Sequence, residues 1–115
     1  MSELKDIYFI GIGGIGMSAI ARYYNHAGYR VSGYDLTPSK LTANLEAEGI
    51  DIHYEDDINR IPKDIKSTFV IYTPAIPPTL KELQYVEKMG YRLCKRSRAL
   101  GEIAADKDCF AIAGT

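Results

Sequence analysis

Glycines at positions 11, 13 and 16 stand in the run Tyr8-Phe9-Ile10-Gly11-Ile12-Gly13-Gly14-Ile15-Gly16-Met17, which passes from an apolar stretch into residues of helical spacing. This G-x-G-x-x-G arrangement, between a predicted strand and a predicted helix, suits a phosphate compound. Gly11 permits the tight turn, Gly13 lets a phosphate approach the backbone without meeting a Cβ, and Gly16 lets the helix pack closely on the strand. The N–H groups and positive end of that helix then favour a pyrophosphate. Asp35 follows about 20 positions beyond Gly16, where a dinucleotide fold places an acid that binds ribose hydroxyls. Glycine also serves ordinary turns, and an aspartate also serves as a solvated loop residue. Their joint spacing favours the phosphate site.

The elements that must hold these residues can be read in order. Asp6 to Ile10 is a nearly continuous apolar strand, the kind a parallel sheet buries on both faces. The helix after the glycines carries Met17, Ile20, Ala21 and Tyr24 on one face and stops at Gly28. Tyr29 to Tyr34 is the second strand. Thr37 is expected to cap the next helix, with Pro38 in its first position, Leu41 and Leu45 as its buried stripe and Gly49 at its end. Ile50 to Tyr54 reads as a third strand, with His53 structural, and Glu55-Asp56-Asp57 as a solvated turn rather than a magnesium site. Thr68 to Thr73, wholly β-branched or aromatic, is the strongest strand signal. It breaks at Pro74-Ala75-Ile76-Pro77-Pro78. A helix with Leu80, Leu83 and Val86 on one face runs to Gly90, a fifth strand spans 91–94, a last helix 97–105 and a sixth apolar run 109–113. Strands alternating with helices through short connections imply a Rossmann-like α/β fold, an open, mostly parallel sheet of about five strands with helices on both faces. The glycine loop, Asp35 and Thr73 to Pro77 all follow strand ends, so they should line one crevice.

The chain of 115 residues is long enough for one core, and its 46% apolar and 25% charged content is that of an ordinary globular domain. With 14 basic and 15 acidic residues, it carries no electrostatic footprint for nucleic acid or an anionic membrane. Cys94 and Cys109 form no disulfide framework or metal-ligand pattern and read as buried inert thiols. No signal peptide or 18-residue apolar run stands out, and a reducing cytoplasm is the expected compartment.

Taken together, Gly11 to Ser18, Gly33-Tyr34-Asp35, Thr73-Pro74-Ala75-Ile76 and Ala113-Gly114-Thr115 resemble the N-terminal part of the Mur ligases over essentially the whole chain. Within that family the resemblance is strongest to the branch that adds L-alanine. It implies a three-domain enzyme of peptidoglycan synthesis whose first domain holds UDP-N-acetylmuramate. The central domain binds ATP and magnesium, and the last helps bind L-alanine. Residues 1–106 would be the UDP-sugar domain and 107–115 the first strand of the central one. Position by position, the resemblance puts the diphosphate on the backbone of Gly13, Gly14, Ile15, Gly16 and Met17. Asp35 and Leu36 would meet the ribose or uracil, Thr73, Ala75 and Ile76 the sugar-phosphate side, and Arg96 a phosphate. Gly114 and Thr115 would open an ATP phosphate loop whose lysine lies beyond the sequence. The expectation is therefore a chain that binds without catalysing, with no cofactor or metal of its own.

Four stretches depart from the family pattern: Tyr34 stands in place of a serine, Thr73-Pro74 of Ser-Ser, Arg96-Ser97-Arg98 of Arg-Ala-Glu, and Asp56 of a histidine. Pro74 also removes one possible backbone donor. The sister ligase that recycles whole peptides onto the same UDP-sugar is an alternative. So are an NAD-binding oxidoreductase domain, which would use the same glycines and Asp35, and a non-enzymatic nucleotide-sensing domain.

Overall fold

The computed structural model describes residues 5–73, 76, 77 and 79–95, with only the backbone of Ile15 and Lys95. Five strands, β1 (Asp6–Ile10), β2 (Arg30–Tyr34), β3 (Asp51–His53), β4 (Thr68–Tyr72) and β5 (Arg92–Lys95), form one sheet in the order β3-β2-β1-β4-β5. Every pairing is parallel. Helices α1 (Ile15–His26), α2 (Lys40–Ala47) and α3 (Lys81–Met89) cross between strands. This is the expected doubly wound sheet, with its order reversing between β1 and β4.

The pleat of β1 sets the two layers. Ile7 and Phe9 point to one face, where they pack with Met17, Ile20 and Tyr24 of α1 and Leu45 of α2. Tyr8 and Ile10 point to the other, against Leu83 and Val86 of α3 and Ile61. Both faces of the central strands are covered, which is why β1 is buried along its whole length.

Three boundaries differ from the sequence expectation. Helix α2 is capped by Ser39, not Thr37: the Ser39 hydroxyl accepts the Thr42 N–H while the Thr42 hydroxyl accepts the Ser39 N–H at 2.8 Å. That reciprocal pair satisfies two otherwise partnerless amides, which the Thr37-Pro38 alternative does not offer. Strand β3 is only three residues long. Helix α3 begins at Lys81 with Leu80 as its N-cap, still packed in the same apolar cluster as Leu83 and Val86. Cys94 is buried on β5, as expected. Cys109, the helix expected over 97–105 and the strand expected over 109–113 lie outside the described residues.

Candidate nucleotide site

Strand register brings the candidate residues together. Ile10 lies opposite Tyr34 on one side and Tyr72 on the other. The residues that follow, Gly11, Asp35 and Thr73, therefore leave the sheet at one level, beyond its carboxyl edge and around the point where strand order reverses. Gly11 turns with φ of 92°, and a Cβ there would lie 2.5 Å from Thr73 Cγ2. Both the left-handed backbone and the close approach of Thr73 and Ile76 require glycine. The Gly11 and Ile12 amides donate to the Tyr34 carbonyl at 2.7 and 3.0 Å, and the Thr73 amide donates to the Ile10 carbonyl at 3.3 Å.

These segments enclose a cleft of about 320 Å³. Gly11 and Gly14 form its loop side, Tyr34, Asp35 and Leu36 its second wall, and Thr73, Ile76, Pro77 and Leu80 its third. A larger groove, of about 610 Å³, runs past Asp6 and Arg30 at the amino ends of the strands. There Arg30 already donates to Asp6 at 2.6 and 3.0 Å, and that end of an open parallel sheet is not where its ligands sit.

Helix α1 starts at Ile15, with Gly14 as an N-cap that supplies no side-chain acceptor and no acid in the first turn. The first helical bond runs from the Ser18 amide to the Gly14 carbonyl at 2.8 Å. The amides of Ile15, Gly16 and Met17 therefore have no intrahelical acceptor, and the positive helix end faces the loop. The Met17 side chain itself is core, so only its backbone can serve a ligand.

Gly13 has a different steric role from the one its spacing suggests. A Cβ there would lie 2.5 Å from Asp35 Oδ2 and 3.0 Å from Thr42 Cγ2. The missing side chain makes room for the Asp35 carboxylate rather than directly for a phosphate. Burial pushes the Asp35 carboxyl above the ordinary aspartate range, although the Gly13, Leu36 and Thr37 amides partly counter this by hydrogen bonding to the charged form. Gly33 is a close-approach position that spacing does not single out: a Cβ would stand 2.9 Å from the Phe9 carbonyl oxygen and from Ile12 Cδ1.

Beneath the second wall lies a buried polar cluster that sequence patterning did not reveal. His53 Nε2 is 2.7 Å from Glu82 Oε2 and 3.1 Å from the Tyr8 hydroxyl, which also donates to Glu82 Oε1. The Asp57 amide donates to Glu82 Oε2 at 2.9 Å. Burial, followed by the Glu82 charge, pushes the Tyr8 phenol far above the ordinary tyrosine range, so it remains a donor. The Tyr34 ring packs against His53, with centroids 5.7 Å apart. His53 is structural, as expected, but the neighbouring acids are not simply a solvated turn. Asp56 accepts the Lys81 and Glu82 amides at 2.8 and 3.0 Å and so caps α3 from 25 residues away. These partners are remote in sequence, so no local signal could have found them.

Of the expected contact residues, Gly14, Asp35, Leu36, Thr73 and Ile76 line the cleft, whereas Gly13, Ile15, Gly16 and Met17 belong to the adjoining loop and helix start without lining it. Ala75, Arg96, Gly114 and Thr115 lie outside the described residues. Tyr34, Pro77 and Leu80 line the cleft without having been expected there. Among the described residues, no group of three or more His, Cys, Asp or Glu side chains could hold a metal ion. No described helix is long and apolar enough to cross a membrane.

Comparison with known proteins points the same way as the geometry. The family described as "Mur ligase family, catalytic domain" matches residues 6–108. The chain is 50% identical over its whole length to a UDP-N-acetylmuramate–L-alanine ligase of Flavobacterium johnsoniae, and 51% identical over 97% of its length to that of Porphyromonas gingivalis. It spans 26% and 25% of those relatives. Among solved structures, the UDP-N-acetylmuramate-alanine ligase of Thermotoga maritima superposes with a TM-score of 0.80 at 28% identity, over 88% of this chain and 23% of that one. A UDP-N-acetylmuramate:L-alanyl-gamma-D-glutamyl-meso-diaminopimelate ligase of Neisseria meningitides gives 0.70 at 26% identity, over 81% and 29%.

Proposed function

The chain belongs to the Mur ligase family, and from that premise we propose that it is the part of an L-alanine-adding ligase that holds UDP-N-acetylmuramate. The observation that carries this reading is the coincidence of the uncapped α1 N-terminus and Asp35 in one cleft at the reversal of strand order. The amides of Ile15, Gly16 and Met17 would take the diphosphate, with Gly13 and Gly14 shaping the loop. Asp35 would accept two ribose hydroxyls, and Leu36, largely exposed at the rim, would cover the nucleoside. Thr73 and Ile76, with Ala75 and Arg96, would border the sugar-phosphate side.

In the whole enzyme, ATP with magnesium would convert the lactyl carboxylate to an acyl phosphate, which the alanine amine attacks with loss of phosphate. Gly114 and Thr115 would begin the ATP loop, residues 1–106 would be the UDP-sugar domain, and the reaction would take place in the cytoplasm. The high identity to alanine-adding relatives over the full chain favours this branch over peptide recycling.

A handful of hydrogen bonds, each netting roughly 0.5–1.5 kcal/mol, against several kcal/mol of lost motion gives an expected Kd of order 0.1–1 mM for this chain. A thermal-shift screen of UDP-N-acetylmuramate, UDP, NAD and ATP tests the reading. The two uridine compounds should raise Tm at millimolar concentration more than the other two. A larger shift with NAD would support the oxidoreductase alternative, and a larger shift with ATP the nucleotide-sensing one.

A further inference from the structure

Tyr34 was singled out in the sequence only as a departure from a family serine, yet it lines the cleft while being only 3% exposed. Its position is tightly fixed. The backbone carbonyl accepts the two glycine-loop amides at 2.7 and 3.0 Å, and the ring rests on His53, itself held by Glu82 and Tyr8. Among the described residues the Tyr34 hydroxyl makes no hydrogen bond. A donor of the cleft wall with no partner among the described residues can serve an acceptor brought by a ligand.

The charges around it select which acceptor. Asp35, Asp56 and Glu82 all act on the phenol, and no cation among the described residues offsets them there. Burial first, then these carboxylates, holds the phenol above its ordinary range and keeps its proton in place. A phosphate brought to this point would meet three like charges, whereas a neutral carbonyl oxygen would not. Asp35 is itself the better partner for ribose hydroxyls, as a charged acceptor.

We propose that the Tyr34 hydroxyl is a specificity-determining donor of this cleft, hydrogen-bonding a carbonyl oxygen of the pyrimidine base of the bound nucleotide. This rests on the UDP-sugar reading above. It gives this chain a contact for the base that a serine side chain is too short to make from the same backbone position.

The test is calorimetry of the 115-residue chain and its Tyr34→Phe variant with UDP, ADP and UDP-N-acetylmuramate. Tyr34→Phe should weaken both uridine compounds about fivefold, the loss expected for one net hydrogen bond, and leave ADP within twofold. Unchanged UDP affinity overturns the inference while leaving the UDP-sugar reading intact. Equal loss for UDP and ADP also overturns it, because the hydroxyl would then serve the ribose or diphosphate. Should Tyr34→Phe fail to unfold cooperatively, the unmodified chain decides: UDP bound at least fivefold more tightly than ADP supports base recognition, and equal affinities overturn it. If the unmodified chain binds neither uridine compound, the UDP-sugar reading fails and this inference with it.

Discussion

Gly13 and Asp35 act as a pair. With Asp35 Oδ2 where a Gly13 Cβ would have to lie, Gly13→Val must push the carboxylate out of place or shift the loop. We expect it to destabilise the fold by about 1–3 kcal/mol in denaturant unfolding, as overpacking does, and to weaken UDP-N-acetylmuramate through displaced Asp35. Gly14→Ala, where the nearest atom would be 3.7 Å away, should change stability by less than about 1 kcal/mol. Asp35→Asn should separate binding from stability. Because the folded chain raises the Asp35 pKa, it binds more protons at that site than the unfolded chain does, so this site's contribution to stability falls as pH rises through and above the ordinary aspartate range. Asp35→Asn should therefore raise Tm at pH 7, the gain shrinking as pH falls below that range, while UDP affinity drops. A lower Tm for the variant at pH 7 would show that the amide bonds outweigh burial. The spacing of Gly11, Gly13, Gly16 and Asp35 was legible in the sequence because tight turns and ribose acids recur at set intervals. The direction of the Gly13 Cβ was not, because it depends on how the 35–37 segment folds back over the loop.

The elements are joined at their ends by side chains from distant segments. Asp56 and Glu82 fasten the start of α3 to the segment after β3, and Glu82 continues the link to β1 through Tyr8 and to β3 through His53. Removing the carboxylate by Glu82→Ala leaves the buried His53 and Tyr8 hydroxyl and the partly buried Asp57 amide without their shared partner. The expected cost is about 2–4 kcal/mol in chemical denaturation. Asp56→Ala, which removes a cap but leaves more exposed amides behind, should cost about 1 kcal/mol. If both variants unfold like the parent, the cluster contributes nothing net and α3 is held by its apolar contacts, Leu83 and Val86 foremost. Helix and strand positions were readable from apolar spacing, since each element buries one face. The caps were not. Ser39 lies beside the more conspicuous Thr37-Pro38 pair, and its partner Thr42 is not the usual acid or amide of a capping box. Asp56 reaches its helix only across the fold.

At the scale of the molecule, the sheet order places one cleft where β1 and β4 diverge, between a glycine loop and an acid that belong to different crossovers. Alternating strands and helices made that arrangement legible, because a parallel sheet with short connections admits few orders. The lining by Tyr34, Pro77 and Leu80 depends on how closely Thr73 and Ile76 approach Gly11, which composition does not encode. The direct test of the central claim, that this cleft holds a UDP-sugar, is calorimetric titration of the chain with UDP-N-acetylmuramate and with NAD, repeated on Asp35→Ala. The account predicts binding of UDP-N-acetylmuramate with a Kd of order 0.1–1 mM, weaker binding of NAD, and loss of most uridine affinity in a variant that still unfolds cooperatively. Tighter binding of NAD than of UDP-N-acetylmuramate, or the same uridine affinity in folded Asp35→Ala, would contradict it.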